Sequence, residues 1–349
     1  MSSKRVVRIV SAIGLSVLLV GVSGCKKPAP EVTSAWPVAK GERVVPEPPP
    51  VPRWPYTGED APDLEAVVKR PLSVKIENSS AARPQKGLNS ADVVYESIAE
   101  GGITRFNCIF HSTVPKTLGP VRSARLSDLW IVPQYDGLFF FSGASGSVER
   151  EVNKAGIDNL SQDAGVYRPY WRASDRSAPH NLMLDTEKAY AEAEKRKYET
   201  TAELQALQFQ RGGTDVTETV STINVPFSQA NYVRWEYDES SDSYLRWNNG
   251  NVHKDATSGK QVNADNVVVL WAKYTEARKD MVGSRTYKIA LGGKGRATVF
   301  KNGVRIDGLW LAKRDAPPRF QTRDGAAIKL APGRTWFQVV PLDTDISMK

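Results

Sequence analysis

Between Leu72 and Phe141 apolar and polar residues alternate in short runs that stop at charged side chains. Leu72, Val74 and Ile76 alternate with Ser73, Lys75 and Glu77, which predicts a strand ending on Glu77-Asn78. A polar turn with Pro84 and Gly87 follows. Val93 to Ile98 reads as a second strand, Gly101-Gly102 as a turn, and Ile103 to His111 as a third strand folded back in a hairpin. On that third strand Thr104, Phe106, Cys108 and Phe110 share one face, with Arg105, Asn107 and His111 on the other. Leu138 to Phe141 is continuously apolar, the pattern of a strand buried on both faces. Helices are expected from a cap at Ser123 to about Tyr135, over about 147–155, and from Thr186 to about Leu207. Strands alternating with helices predict an α/β layered domain with a mixed sheet over residues 63–207.

From residue 215 the pattern changes. Tyr232–Tyr237, Tyr244–Trp247, Val267–Trp271, Tyr287–Ala290, Ala297–Phe300 and Thr335–Val340 are strand-like runs. Turn pairs such as Asn249-Gly250, Asn302-Gly303 and Pro332-Gly333 separate them. This predicts an antiparallel β domain, a barrel or sandwich, over residues 215–345. The fold class is α+β overall.

The N-terminus adds a location. Lys4, Arg5 and Arg8 precede an apolar run from Ile9 to Val20, and Val22-Ser23-Gly24-Cys25 closes it. That close resembles a bacterial lipobox, in which cleavage precedes the cysteine and its sulfur is acylated, palmitate being one such acyl group. Residues 1–25 are therefore read as a lipoprotein signal peptide, with Cys25 as the lipidation site and membrane lipid as a partner. The apolar run is short for a spanning helix. Residues 26–62 gather Pro46, Pro48, Pro49, Pro50, Pro52 and Pro55, which predicts an extended, disordered tether. The expected location is the extracytoplasmic face of the cell membrane, lipid-anchored.

The 349 residues carry a formal net charge of +8, and three of those positive charges belong to the leader. Mild basicity suits an anionic envelope surface, such as a cell-wall polymer or a lipid-linked precursor. Nucleic acid is not an expected partner, because no Arg/Lys-rich helix, zinc spacing or aromatic RNA-binding motif is present. Only Cys25 and Cys108 occur, too few for a disulfide network, and Cys108 reads as a buried structural thiol.

Candidate chemistry collects in the first domain. Gly119-Pro120-Val121-Arg122-Ser123-Ala124-Arg125 leads into the expected helix, and Arg122, Ser123 and Arg125 at a helix start would grip a phosphate or carboxylate. The alternative is that these arginines pair internally with Glu77, Glu96 or Glu100. Those three carboxylates are also the material of a glycosidase pair or a metal site. Asn78, Arg83 and Arg105 lie at strand ends or turns beside them, and Pro179-His180-Asn181 contributes His180 as an acid/base candidate and Asn181. No zinc spacing, Walker motif or dinucleotide fingerprint is present, so neither metal nor cofactor is expected. Ser145, in Gly143-Ala144-Ser145-Gly146, lacks the Gly-x-Ser-x-Gly pattern of a hydrolase elbow.

These motifs resemble those of the YerB-type bacterial lipoproteins, a family of domains of unknown function. The matching pieces include Ala82-Arg83-Pro84-Gln85, Ala91-Asp92-Val93-Val94-Tyr95-Glu96, Glu100-Gly101-Gly102-Ile103-Thr104-Arg105, the Gly119–Arg125 segment, Pro179-His180-Asn181 and Pro332-Gly333-Arg334-Thr335-Trp336. Glu77 departs from the Asp or Asn expected there. The resemblance implies a two-part extracytoplasmic lipoprotein and no established activity or catalytic residues. Three readings remain open on the residues: a binding protein for an anionic or polyhydroxyl envelope ligand, an envelope glycan hydrolase or pyrophosphate-linked wall-polymer transferase, and a protein-docking scaffold. Trp235, Trp247, Trp271, Trp310 and Trp336 are available either as exposed binding aromatics or as core.

Overall fold

The structure, a computed structural model, describes residues 51–212, 218–277 and 286–349. The leader and Cys25 lie outside the described residues. The N-terminal part contains α1 (Leu64–Val68), β1 (Leu72–Glu77), β2 (Val93–Ile98), β3 (Thr104–Phe110), β4 (Thr117–Leu118), α2 (Asp128–Gln134) and β5 (Leu138–Phe140). It continues with α3 (Gly146–Lys154), β6 (Tyr170–Arg172), β7 (Leu182–Asp185) and α4 (Thr186–Lys195). The C-terminal part begins with β8 (Thr222–Ser228), β9 (Asn231–Asp238), β10 (Ser243–Asn248), β11 (Asn251–Val252) and β12 (Asn263–Ala264). Next come β13 (Asn266–Ala272), β14 (Tyr274–Glu276), β15 (Tyr287–Ile289), β16 (Gly293–Lys301) and β17 (Val304–Ala312). The chain closes with β18 (Arg319–Gln321), β19 (Ala327–Ile328), β20 (Thr335–Pro341) and β21 (Ser347–Met348).

The fold is α+β, with mixed pairing in the N-terminal part and antiparallel sheets in the C-terminal part. β1 pairs antiparallel with β3 and parallel with β5. β8 to β12 and β21 form a six-stranded antiparallel sheet, as the alternating runs and turn pairs lead one to expect. The two parts are nevertheless not separate layers of core. β20 lies between β13 and β2, parallel to both, so one ten-stranded sheet runs β19-β18-β17-β16-β13-β20-β2-β3-β1-β5. A boundary expected between residues 207 and 215 therefore divides the chain but not the sheet. Local patterning cannot reveal this, because β20 meets β2 across about 240 residues of chain.

Both faces of the long sheet are covered, as the fully buried β1, β13 and β5 require. One face carries Val74, Val94, Phe106, Cys108, Val267 and Trp336, packed against Trp235 and Tyr244 of the second sheet. The opposite face carries Val93, Tyr95, Ile109, Val268 and Phe337, packed with Ile131 and Tyr135 of the α2 segment. Trp336 meets Phe106 and Trp235 edge-to-face, each with ring centroids 5.2 Å apart. Trp235, Trp271, Trp310 and Trp336 are thus core, and only Trp247 of the five is part-exposed, with Arg234 stacked on it.

Three local expectations are corrected. The helix expected from Ser123 begins only at Asp128, because residues 121–125 are held extended by β1: Glu77 N–H donates to Pro120 and Arg122 N–H to Lys75. α4 stops at Lys195, and Lys197 takes a positive φ of 60° just beyond it, so residues 196–207 continue as irregular chain. The proline-rich tether ends earlier than residue 62. Tyr56 is fully buried and donates to the Tyr135 carbonyl at 2.9 Å, while Leu207 N–H donates to Pro55.

Cys108 is free, wholly buried, and its thiol is pushed up by burial. Native protein is therefore expected to leave Cys108 unmodified by a thiol reagent over an hour, with full reaction in denaturing urea. Rapid labelling of Cys108 in the native state would contradict the packing described.

Candidate functional site

The sequence-derived residues separate into two groups. The first is sealed between the two sheets. Glu96 of β2 is fully buried and accepts from Arg246 Nη2 of β10 at 2.8 and 2.9 Å. Thr104 Oγ1 also donates to Glu96, at 2.7 Å, and Asn78 and Asn231 both donate to Thr104 at 2.7 Å. Arg246 lies among Phe106, Trp235 and Trp336, 5.1–5.6 Å from their ring centroids. Its Nη1 donates to His253 Nδ1, and His253 Nε2 sits 2.7 Å from Gln85 Oε1. Arginine can only donate, so the His253 proton is on Nε2. Burial, then the neighbouring Arg246 and Arg83, hold this imidazole well below its usual range and therefore neutral. Gln85 and Arg83 close the network by donating to Asn78 Oδ1 at 3.2 and 3.1 Å. Glu96 and Asn78, both 0 % exposed, are sealed from solvent. They are corrected from ligand contacts to parts of an internal ion-pair network. Arg83 turns its guanidinium inward to the same network.

The second group stays together near the surface. Glu77 Oε1 accepts from Ser79 Oγ at 2.8 Å and lies 2.8 Å from His180 Nδ1. Its other oxygen is 3.4 Å from Arg122 Nε. Glu100 pairs with Arg125 Nη2 and, at 3.3 Å, with Arg105 Nη2. Arg105 and Arg125 both donate to the Ser123 carbonyl, so Ser123 holds the guanidiniums through its backbone. Three arginines thus share two carboxylates. Burial lowers Arg105 to about 9, and the positive charges of Arg125 and Arg122 add to that, against the pull of Glu100 and Glu77. Burial pushes the Glu100 carboxyl up, but Arg125 and then Arg105 more than offset this and hold it below its ordinary value. An ionised, arginine-held carboxylate is a poor general acid. His180 is the most open member of this group, its side chain 29 % exposed. Asn181 is turned away, bonded to Arg172 and to the Ala173 and Arg176 carbonyls.

The helix-start argument for this corner does not hold, since the α2 turn lies beyond it. What replaces it is side-chain positioning. Arg125 N–H donates to Asp128 Oδ2 at 2.7 Å, and Asp128 Oδ1 accepts from buried Lys75 at 2.7 Å and from Asn107 at 2.9 Å. Lys75 and Asp128 are thus the buried support under the arginine loop. Sequence reasoning missed Lys75, Asp128, Arg246 and His253. A signal existed for Arg246, which falls between Tyr244 and Asn248 on the inward phase of its strand. Among the described residues, no three His, Cys, Asp or Glu side chains come together as a metal site.

The fold and this arrangement define a class: a two-part α+β protein whose halves are joined by one sheet and by a buried network centred on a Glu–Arg pair. Residues 56–199 match the N-terminal domain, and residues 223–337 the C-terminal domain, of the family described as "Protein of unknown function (DUF3048)". The chain belongs to this family. It is 31 % identical over 279 residues to "Putative lipoprotein YerB" of Bacillus subtilis (strain 168), covering 78 % of this chain and 82 % of that protein. The crystal structure of YerB protein from Bacillus subtilis matches with a TM-score of 0.76 at 30 % identity, over 85 % of this chain and 99 % of that one. Among the described residues, no helix is long and apolar enough to cross a membrane.

Proposed function

We propose that this chain is an envelope lipoprotein, anchored through Cys25 on the extracytoplasmic face, that binds an anionic or polyhydroxyl envelope ligand at Arg105, Arg122 and Arg125. The observation that carries the reading is the sharing of two carboxylates by three guanidiniums beside part-exposed His180. That imbalance favours a further negative charge, and planar guanidiniums suit phosphate or carboxylate oxygens. The leader ending in Val22-Ser23-Gly24-Cys25 and the lipoprotein name of the Bacillus relative support the anchor. The sealing of Glu96 and the ionised state of Glu100 weigh against a glycan hydrolase built on these acids.

The test is mass spectrometry of lipids and glycans that co-purify with the anchored protein. An anionic species is expected with the parent and reduced roughly tenfold or more in an Arg122→Gln/Arg125→Gln variant of unchanged near-UV circular dichroism. Equal recovery from both proteins would remove these arginines from the site. Cys25→Ala is expected to abolish labelling by a clickable fatty acid; persistent labelling would refute the anchor.

A further inference from the structure

A cavity of about 490 Å³ lies between the α2 segment, the end of α3 and β15. Its apolar wall is Leu126, Leu129, Trp130 and Ile289. The Trp130 indole lies directly on Gly292, where any side chain would overlap the ring, so the aromatic wall is seated on backbone. Three cations, Lys154, Lys288 and Arg314, stand at the rim with a single acid, Glu151. Lys154 is 3.2 Å from Glu151 and offsets it. Among the described residues Arg314 bonds a carbonyl, that of Ala155 at 2.9 Å, and meets no carboxylate. Lys288 makes no ion pair among the described residues.

An apolar wall under these cations is complementary to one class of molecule. We infer that this cavity binds an anionic amphiphile, with its single apolar chain against Leu126, Leu129 and Trp130 and its acidic head between Lys288 and Arg314. The volume falls in the range of small-molecule sites, which run from about 300 to 1,000 Å³. Burying a chain there removes apolar surface from water, and the rim charges select the sign of the head. The inference does not depend on the Arg105–Arg122–Arg125 cluster, whose residues do not line the cavity.

The experiment uses the chain from Pro50 onward, which holds every paired strand among the described residues and forms one compact unit. Dodecyl phosphate, dodecanol and inorganic phosphate are titrated below micellar concentrations by calorimetry, and anionic phospholipid vesicles are tested by co-sedimentation. Saturable one-to-one binding of dodecyl phosphate is expected, about tenfold or more tighter than dodecanol, with inorganic phosphate neither binding there nor competing. Lys288→Glu/Arg314→Glu, at exposed positions, is expected to erase the preference for the phosphate head. Leu129→Gln is expected to weaken both chain-bearing ligands. Binding of vesicles without binding of monomeric dodecyl phosphate would make this surface adsorption and overturn the inference. So would an undiminished preference in the charge-reversed variant, or the absence of saturable binding.

Discussion

Arg246→Met is expected to destabilise the folded chain by about 3–5 kcal/mol, the cost of stranding one member of a buried ion pair. Glu96 and Arg246 are both 0 % exposed, and Glu96 would keep only neutral donors from Thr104, Asn78 and Asn231. Burial presses Arg246 downward, and Glu96 counters it through its charge and its hydrogen bonds. Methionine retains much of the stem packing against Phe106, Trp235 and Trp336, which isolates the loss of charge from the loss of volume. The companion variant is Glu96→Gln/Arg246→Met. Removing both charges is expected to recover most of the loss, because neither is left uncompensated. Urea unfolding measures all three proteins. A single variant within about 1 kcal/mol of the parent would show that the pair does not join the two sheets energetically.

Asp92→Asn is expected to change how stability depends on pH. Asp92 is 1 % exposed, and burial pushes its carboxyl up to about 7 despite hydrogen bonds from Ser112 Oγ and Ser112 N–H. With the folded value above the ordinary 3.8, the folded state holds a proton that the unfolded chain has released between pH 4 and 7. Its contribution is therefore full below pH 4 and is lost as pH rises through 7. The variant and the parent should be of similar stability near pH 4. The variant should gain up to about 4 kcal/mol by pH 8. The difference between the two proteins is the quantity to measure. Burial holds His111 down at about 4 and His253 well below its ordinary value, so in the parent they lose stability as pH falls and mask Asp92. A difference that does not vary with pH would show that Asp92 is ionised throughout.

Much of the N-terminal fold was legible because its signals are local. The alternation over Leu72–Glu77, the Val93–Ile98 run and the Gly101-Gly102 turn gave β1, β2 and the β2–β3 hairpin within a residue or two of their limits. The same locality misled at Ser123, where a capping residue and a following apolar run resemble a helix start. Cross-chain bonds from β1 hold residues 121–125 extended instead. The candidate residues were found by type and position, but their partners were not. Glu100, Arg105, Arg122 and Arg125 gather with buried Glu77 as a part-exposed cluster, while Glu96, inside β2, and Asn78, just past β1, face inward.

By itself the sequence determined β1, β2, β3, β5 and much of β9, β10, β13, β15, β16 and β20, the two parts and the expectation of a lipid anchor at Cys25, since each rests on patterns a few residues long. Tertiary structure alone decided that the parts share one sheet through β20, and that Glu96 belongs to Arg246, 150 residues away, rather than to a ligand. Pairing of that kind depends on which distant strand closes over a buried charge, and desolvation then demands the partner. Spacing along the chain carries no information about it.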